Sequence, residues 1–197
     1  MSIYKVPENT NIEVTAQRTD ILHFMDVTGV EGVTGDDVWC QMGSGWTSMT
    51  ESPSAQTKER KFINEKSKRK NITSYSPSFG FEVLLMFNKP EVKIIYEIYT
   101  RRKTGTDAVV TMVTVEKFGE AVNGYYPARK GKYAVEVSSC DDDDDMIIKG
   151  NLNGQGDETM GWFDPVNGVW SDEKPTVQAG GQTENQSSTP ASETETE

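Results

Sequence analysis

The 197-residue chain is short of several residue types on which whole classes of protein depend. It has only two cysteines, Cys40 and Cys140, which are too few and too far apart for a disulfide scaffold or a metal knuckle. No stretch approaches the ~20 consecutive apolar residues of a membrane helix, and the first residues lack the apolar core of a signal peptide. We therefore expect no membrane insertion, no secretion by that route and two unlinked thiols in a reducing compartment.

Histidine is also scarce, and recognisable catalytic motifs are missing. The one histidine, His23, lies in an apolar strand-like stretch, where a hydrogen-bonded core or interface histidine is more common than a general base. The Gly43-Ser44-Gly45 segment lacks the further glycine and the following helix of a phosphate-binding loop. We expect neither an enzyme nor a protein that binds a cofactor or a metal.

What the chain has in excess is acid. It carries 31 Asp and Glu residues against 20 Lys and Arg residues, a formal charge of −11. The charge is polarised: residues 1–56 contain eight acidic and two basic residues, whereas residues 57–70 contain seven basic and two acidic ones. Further acid lies in the run from Asp141 to Asp145 and in residues 171–197. A strongly basic segment is thus set among acidic ones.

The composition changes near residue 171. From there to residue 197 the chain consists mainly of Ser, Thr, Gln, Glu, Gly and Pro, which cannot bury enough apolar surface to offset the entropy of ordering. We therefore predict one folded domain over residues 1–170, followed by a disordered acidic C-terminal tail over residues 171–197.

Most apolar segments of the domain alternate with period two and are rich in β-branched and aromatic residues, which predicts strands. In residues 107–118 both alternating faces are apolar, so this segment is predicted to be a central strand. The Asp164-Pro165 and Asn167-Gly168 pairs predict a tight reversal near the end of the domain. Two more strands are predicted from alternating apolar rows: Phe81, Val83, Leu85 and Phe87 in one, and Tyr133, Val135 and Val137 in the other.

Residues 90–103 break this pattern, because their apolar residues fall at the i, i+3, i+4, i+7 spacing of one helix face. Asn88 and Glu91 are predicted to form a capping box, and Pro90 suits the first turn. The fold class is therefore predicted to be mostly β with one flanking α-helix at about residues 90–103. Its predicted buried face consists of Val92, Ile95, Tyr96 and Tyr99.

The two most charged segments have several interpretations. The run of five aspartates can be interpreted as a solvated loop, as an electrostatic docking surface or as a cation site. The basic segment is a solvated hairpin arm or a contact with an acidic protein surface, and the acidic flanks disfavour nucleic-acid binding. The sharper hypothesis is that the arm of one copy meets the aspartates of another. The candidate inter-subunit residues are Lys58, Arg60, Lys61, Lys66, Lys68, Arg69, Lys70, Asp141, Asp142, Asp143, Asp144 and Asp145.

Several short motifs follow one another in an informative order. They are Gly45-Trp46-Thr47-Ser48-Met49-Thr50, Phe62-Ile63-Asn64-Glu65, Thr73-Ser74-Tyr75-Ser76-Pro77-Ser78, the predicted helix, and Gly161-Trp162-Phe163-Asp164-Pro165. In this order and spacing, over about residues 40–170, the chain resembles the major tail tube proteins of long-tailed bacteriophages, especially those of Gram-positive hosts.

The resemblance implies a β-sandwich or barrel-like tail tube fold with one flanking helix. It also implies hexameric rings whose inner strands close into a β-barrel, stacked into a hollow tube that conducts DNA into the host. The segment from Lys58 to Lys70 corresponds to the family's extended hairpin arm, which contacts neighbouring subunits and rings. The implied partners are further copies and the tape measure, tail terminator and distal tail proteins, and the implied location is the virion tail, after synthesis in the bacterial cytoplasm. DNA is expected to pass without specific binding, so acidic or neutral residues should line the lumen while the arm lies between subunits.

The main alternative is a monomeric β-sandwich that binds carbohydrate or a cell surface. Such a module would use exposed tryptophans as a stacking platform, although tryptophans in strand-like contexts are more often core or interface residues. An enzyme such as a glycosidase lacks a recognisable pair of placed carboxylates. The four candidate platform residues are Trp39, Trp46, Trp162 and Trp170.

If oppositely charged segments join the copies, added salt should weaken their association. Raising the salt concentration to ~0.5 M shortens the Debye length to a few ångströms, so we expect slower or weaker assembly. Light scattering at low and high salt measures both the rate and the extent. Assembly that is insensitive to salt would contradict the charge hypothesis.

Overall fold

The computed structural model describes residues 15–142 and 144–176, and over these residues the fold is mostly β with one α-helix. No helix in these two ranges is long and apolar enough to span a membrane. The elements are β1 (Ile21–Asp26), β2 (Trp39–Gln41), β3 (Trp46–Ser52), β4 (Ala55–Arg60), β5 (Arg69–Tyr75), β6 (Ser78–Leu84), α1 (Pro90–Arg101), β7 (Val109–Glu116), β8 (Tyr126–Asp142), β9 (Met146–Gly154), β10 (Thr159–Asp164) and β11 (Val169–Ser171).

Nine strands form one antiparallel sheet in the order β2-β1-β7-β8-β9-β6-β3, and β10 and β11 extend it from β8. The long strand β8 pairs with β7 and β10 along its first half and with β9 along its second half. The strand predicted over 107–118 is confirmed as β7, which lies inside the sheet between β1 and β8. Strands β4 and β5 pair only with each other.

The main sheet is strongly curled into a half-barrel. The curl brings together strands that are not neighbours: His23 on β1 packs edge-on against Phe79 on β6, with ring centroids 5.5 Å apart, although three strands separate β1 from β6. Arg18, just before β1, donates a hydrogen bond of 3.1 Å to the carbonyl of Thr47 on β3. Two distant parts of the sheet therefore face each other across an enclosed core.

The larger apolar cluster fills this curl and is covered by α1. The predicted helix is confirmed, but its most deeply buried face is rotated from the predicted one. Val92, Ile95 and Ile98 are buried, whereas Tyr96 and Tyr99 are only partly buried. The sheet contributes the buried side chains of Met25, Phe79, Phe81, Val83, Val110, Met112, Tyr133, Val135, Ile148 and Leu152.

The predicted capping box at the start of α1 is wrong. The N-cap residue is Lys89, which makes no side-chain cap, and Glu91 is fully buried rather than turned back toward Asn88. The Cys40 thiol donates a hydrogen bond of 2.9 Å to Glu91 Oε2. Burial and this hydrogen bond raise the pKa of Cys40 to about 12. Cys40 and Cys140 are not joined by a disulfide, as predicted.

The predicted strand through Phe87 is also wrong at its end. Strand β6 stops at Leu84, and Phe87 is 60% exposed. The chain turns here, with the Lys89 amide donating to the Met86 carbonyl at 3.1 Å, because Pro90 begins the helix and lacks the amide that a strand needs. The buried row of this strand is instead Phe79, Phe81 and Val83.

A smaller apolar cluster lies on the other face of the sheet, where Phe163 of β10 packs on Phe24 at 4.9 Å between ring centroids. The tight reversal predicted at residues 164–168 is confirmed, since β10 and β11 pair across it. Gly161 is required by this packing, because an added Cβ would lie 2.4 Å from the Trp170 ring. Trp170 and Trp39 are the partly buried edges of this cluster.

Asp164 is the buried anchor of the reversal. Its Oδ1 accepts hydrogen bonds from the amides of Val166 and Asn167 at 2.9 and 3.1 Å, and its Oδ2 accepts one from Asn167 Nδ2 at 2.7 Å. Burial raises the pKa of Asp164, but these hydrogen bonds outweigh that effect and hold the pKa below its usual range. A carboxylate with a lowered folded pKa stabilises the fold at neutral pH and loses that contribution as acid protonates it.

Replacing this anchor should destabilise the fold. We expect Asp164→Ala to lower the free energy of unfolding by about 1–2 kcal/mol, because it removes the acceptor of the two backbone amides that hold the reversal. Urea denaturation measures the change. Asp157→Ala, at an exposed position, is the matched control and should stay within about 0.5 kcal/mol of the wild type. Equal stability of the two variants would show that the reversal does not depend on Asp164.

Candidate inter-subunit surface

The basic segment forms an arm, defined here as β4, β5 and the connecting residues 61–68. Every residue of β4 and β5 is exposed. The two strands pair in an antiparallel register from Ala55 opposite Tyr75 to Arg60 opposite Arg69, and they share no ladder with the main sheet. The arm leaves the sheet between β3 and β6, and at its base the Ser76 amide donates to the carbonyl of Pro53 at 3.2 Å.

The register sorts the charges of the arm between its two faces. Residues directly opposite each other in an antiparallel pair share a face, so Lys58, Arg60 and Arg69 lie on one face. Lys70 lies on the other face with Glu59 opposite. Arg60 and Arg69 form a cross-strand pair of like charge, which destabilises a hairpin.

Two of the seven basic residues of the arm have acidic partners in the arm itself. Arg69 pairs with Glu65, and Lys68 Nζ lies 3.4 Å from Glu59 Oε2. Among the residues that the structure describes, no ion pair is found for the other five, and they remain exposed. These five are Lys58, Arg60, Lys61, Lys66 and Lys70.

The arm also exposes apolar side chains. Phe62 is 51% exposed and Ile63 is fully exposed at its end, while Ile72 and Tyr75 are more than half exposed along β5. The Arg69 guanidinium lies over the Phe62 ring, 5.5 Å from its centroid. The arm therefore combines positive charge with exposed apolar surface.

A cluster of charged residues holds the base of the arm against the core. Glu51, near the end of β3, accepts two hydrogen bonds from the Arg129 guanidinium on β8, at 2.8 and 2.9 Å. Arg129 also lies 3.2 Å from Glu158 and 3.4 Å from Glu116, and Tyr133 donates its hydroxyl to Glu158. We call these five residues the Arg129 cluster.

The electrostatics of the Arg129 cluster follow from one guanidinium among three carboxylates. The hydrogen bond from Arg129 lowers the pKa of Glu51, and the hydrogen bond to Glu51 raises the pKa of Arg129 further above its normal value. Burial raises the pKa of Tyr133, and its bond to Glu158 adds to this effect. Since the folded pKa of Glu51 lies below its unfolded value of 4.5, its contribution to stability is present at neutral pH and is lost as the pH falls below 4.5.

The aspartate run lies at the turn between β8 and β9. Asp141 Oδ2 pairs with Lys149 Nζ at 2.7 Å within the same hairpin, and this partner lowers the pKa of Asp141. Asp142 ends β8, Asp143 lies outside the described residues, and Asp144 and Asp145 are exposed. At least two of the five aspartates are therefore available at the surface.

The predicted inter-subunit residues lie in two separate places, the arm and the aspartate turn. The arm joins β6 at Ser78, opposite Asn153, whereas the aspartate turn lies by the other end of β6, where Leu84 pairs with Ile147. Strand β6 has seven residues, so its two ends are about 20 Å apart. No hydrogen bond or ion pair among the described residues joins the arm to the aspartates.

The other predicted functional residues lie in the core. His23 is hydrogen-bonded to Thr114 Oγ1 at 3.1 Å, as expected of a core histidine, and burial lowers its pKa to about 4. Trp46 and Trp162 are buried, and Trp39 and Trp170 are partly buried in the smaller cluster. None of the four tryptophans is exposed, so the proposed stacking platform is not formed. Within the described residues, no three His, Cys, Asp and Glu side chains converge as a metal site.

No protein-family model and no curated protein sequence matches the chain. Among solved structures, the chain is similar to a chain in the cryo-EM structure of the anti-feeding prophage baseplate, 6-fold symmetrised, with a TM-score of 0.43 and 11% sequence identity. The alignment covers 76% of this chain and 97% of the baseplate chain. A likeness this low does not indicate a shared function.

Removing Arg129 should loosen the base of the arm and destabilise the fold. Arg129→Ala leaves three carboxylates close together and partly buried, so we expect a loss of up to about 3 kcal/mol in the free energy of unfolding at pH 7. Arg101→Ala, which breaks an exposed helix pair with Glu97, is the matched control, with an expected loss of about 0.5 kcal/mol or less. Chemical denaturation compares the two. A loss for Arg129→Ala no larger than the control would refute a structural role for the cluster.

Proposed function

We propose that this chain is a bacteriophage structural protein whose copies assemble into stacked hexameric rings and so form the tube of the phage tail. The observation that carries the proposal is the arm, whose strand residues are all exposed and whose strands pair only with each other. The order of motifs in the sequence, which resembles major tail tube proteins, supports the same function.

The arm is an element that needs a partner. A two-stranded hairpin without further packing is marginally stable in water, and the Arg60 and Arg69 pair weakens this one further. Contact with an acidic surface of a second copy relieves the repulsion and covers the exposed apolar residues. In a monomer the repulsion and the exposed apolar surface would lower the stability of the arm, and no contact would compensate for them.

The placement of the two charged regions favours assembly from head to tail. The arm and the aspartate turn lie at opposite ends of β6, so a contact between them has to join two copies. When each copy gives its arm to one neighbour and receives the arm of another, the contact is heterologous, and it generates closed rings or extended stacks. The arm thus links successive rings when it reaches the aspartates of the copy above or below.

Lateral contacts within a ring have a separate basis in the main sheet. Among the described strands, β2, β3 and β11 are terminal in the sheet, and each has one edge without a partner strand. Unpaired edges are ready sites for pairing with another chain. Pairing of such edges between neighbours would join the half-barrel sheets around a ring.

The proposed role is that of a conduit, without enzymatic activity. The overall charge of −11 suits a wall along which DNA slides, because fixed negative charge facing the lumen releases no phosphate counterions and offers little binding. Placing the basic arm between subunits keeps its lysines away from the passing duplex. The tape measure, tail terminator and distal tail proteins are the further partners of such a tube.

Negative-stain microscopy of the purified full-length chain tests the proposal, with rings or tubes as the expected result. Charge reversal adds a sharper test: Lys58→Glu with Arg60→Glu should weaken assembly at least about tenfold, since like charges across an interface are strongly unfavourable. Asp144→Lys with Asp145→Lys should do the same. Combining all four substitutions in one chain should restore assembly.

The matched control reverses Lys117 and Lys132, two exposed lysines outside the arm, and should assemble like the wild type. A chain that stays monomeric at high concentration would contradict the proposal and favour a monomeric binding module. Assembly that survives both charge reversals would show that the arm and the aspartates are not the contact.

A further inference from the structure

The end of the arm has an apolar part that the aspartates do not explain. Phe62 and Ile63 lie between Lys61 and Lys66 at this end, and Ile63 is fully exposed. Carboxylates can neutralise the lysines but cannot replace water around two apolar side chains. A complete receiving surface therefore needs an apolar site close to acidic residues.

A groove with these properties lies among the described residues between α1, the residues that follow β1 and the start of β7. Its volume is about 690 Å³, within the range of sites that hold several side chains. Phe87 is 60% exposed at its side, and Tyr96 packs edge-on against Phe87 with ring centroids 5.6 Å apart. The remaining apolar lining consists of Val30, Ile94, Val109 and Val110.

The charges around the groove complement those of the arm. Asp26 and Glu31 line it on one side and Lys93 on the other, while the remaining charged pair, Glu97 and Lys103, is joined at 2.8 Å. Apart from this internal ion pair, the lining has two acidic residues, Asp26 and Glu31, and one basic residue, Lys93. An apolar segment flanked by lysines therefore fits the groove in both polarity and charge.

The groove also lies at the same end of the molecule as the aspartate turn. Phe87 follows β6 by three residues, and the Leu85 amide donates at 2.8 Å to the carbonyl of Met146, the residue next to Asp145. The arm leaves the sheet at the opposite end of β6. An arm that reaches the aspartates of another copy therefore arrives beside the groove of that copy.

We infer that this groove is the docking site for the arm of a second copy. Phe62 and Ile63 enter it beside Phe87 and Tyr96, and the flanking Lys61 and Lys66 meet its acidic side. The inference rests on the proposed assembly and names the surface that receives the arm. Docking in the groove adds an apolar contact to the charged one. The association of the copies is then less sensitive to salt than a contact between charged residues alone.

Cysteine cross-linking between two differently labelled chains tests the docking. One full-length chain carries Asn64→Cys at the end of the arm, and the other carries Lys93→Cys at the rim of the groove, both at exposed positions. Mixed assemblies oxidised under mild conditions should give a cross-linked dimer. Mass spectrometry of the linked peptides separates this bond from any bond of Cys40 or Cys140.

The controls move each cysteine to a matched position. Asn71→Cys lies on β5 of the arm away from its end, and Lys117→Cys follows β7 at the opposite end from the groove residues Val109 to Thr111. Neither should give the cross-link. A link that forms as readily with either control would overturn the inference.

The remaining outcomes separate this inference from the proposed function. Tubes without the Asn64 to Lys93 link would overturn the docking site and leave the tube standing. Absence of any assembly would overturn both. A link that appears only after deletion of residues 1–14 would assign the groove to the chain's own first residues and overturn the inference.

Removal of the apolar side chains gives a second test. Phe62→Ser with Ile63→Ser should weaken association at least about tenfold, because two large apolar side chains no longer leave water on docking. The monomer should fold normally, since both residues are exposed. Val166→Ser, at an 88% exposed position outside the arm and the groove, is the matched control and should assemble normally. Equal assembly of the two variants would refute the docking.

Discussion

The fold depends on the continuous backbone pairing of β8, the strand from Tyr126 to Asp142 that both parts of the sheet share. Its first half holds β7 and β10, and its second half holds β9. Its side chains enter both apolar clusters, with Tyr133 in the larger and Ala128 in the smaller. Because the sheet curls around this strand, Glu51 of β3 comes within reach of Arg129. The position of the arm is thus set by a strand that is distant from it in sequence.

The core and the arm follow opposite physical rules. Within the core, both carboxylate oxygens of the buried Asp164 accept hydrogen bonds, and large apolar side chains are packed. Along the arm, like charges face each other and apolar side chains lie in water. An element that combines facing like charges with several exposed apolar side chains is expected to be completed by contact with another chain.

Local patterns predicted the local elements well. The alternation in residues 107–118 and the helical spacing after Pro90 correspond to β7 and α1, and the Asp-Pro and Asn-Gly pairs to the reversal before β11. The seven basic residues are grouped in the structure because they are grouped in the sequence. The arm could be predicted as a unit for this reason.

Contacts between distant residues were beyond such patterns. Glu51 and Arg129 are 78 residues apart, and Cys40 and Glu91 are 51 apart, so only the curl of the sheet and the seating of α1 bring them together. The prediction that Glu91 caps the helix was wrong for the same reason. A glutamate near the start of a helix is predicted to be a capping residue when its buried partner, here the Cys40 thiol, is unknown. The tryptophan platform failed because the burial of an aromatic residue depends on tertiary packing.

The way in which the arm is attached has a mechanical consequence. The arm is an insertion between β3 and β6, so it is tethered to the sheet by two covalent connections rather than one. A pull along the arm acts on adjacent ends of these two strands, and β6 is held to β9 by a ladder that extends from Ser78 to Leu84. Because the hydrogen bonds of an antiparallel ladder run across the strands, such a load shears them together instead of opening them one at a time. A load on the arm is therefore shared by the whole ladder between β6 and β9.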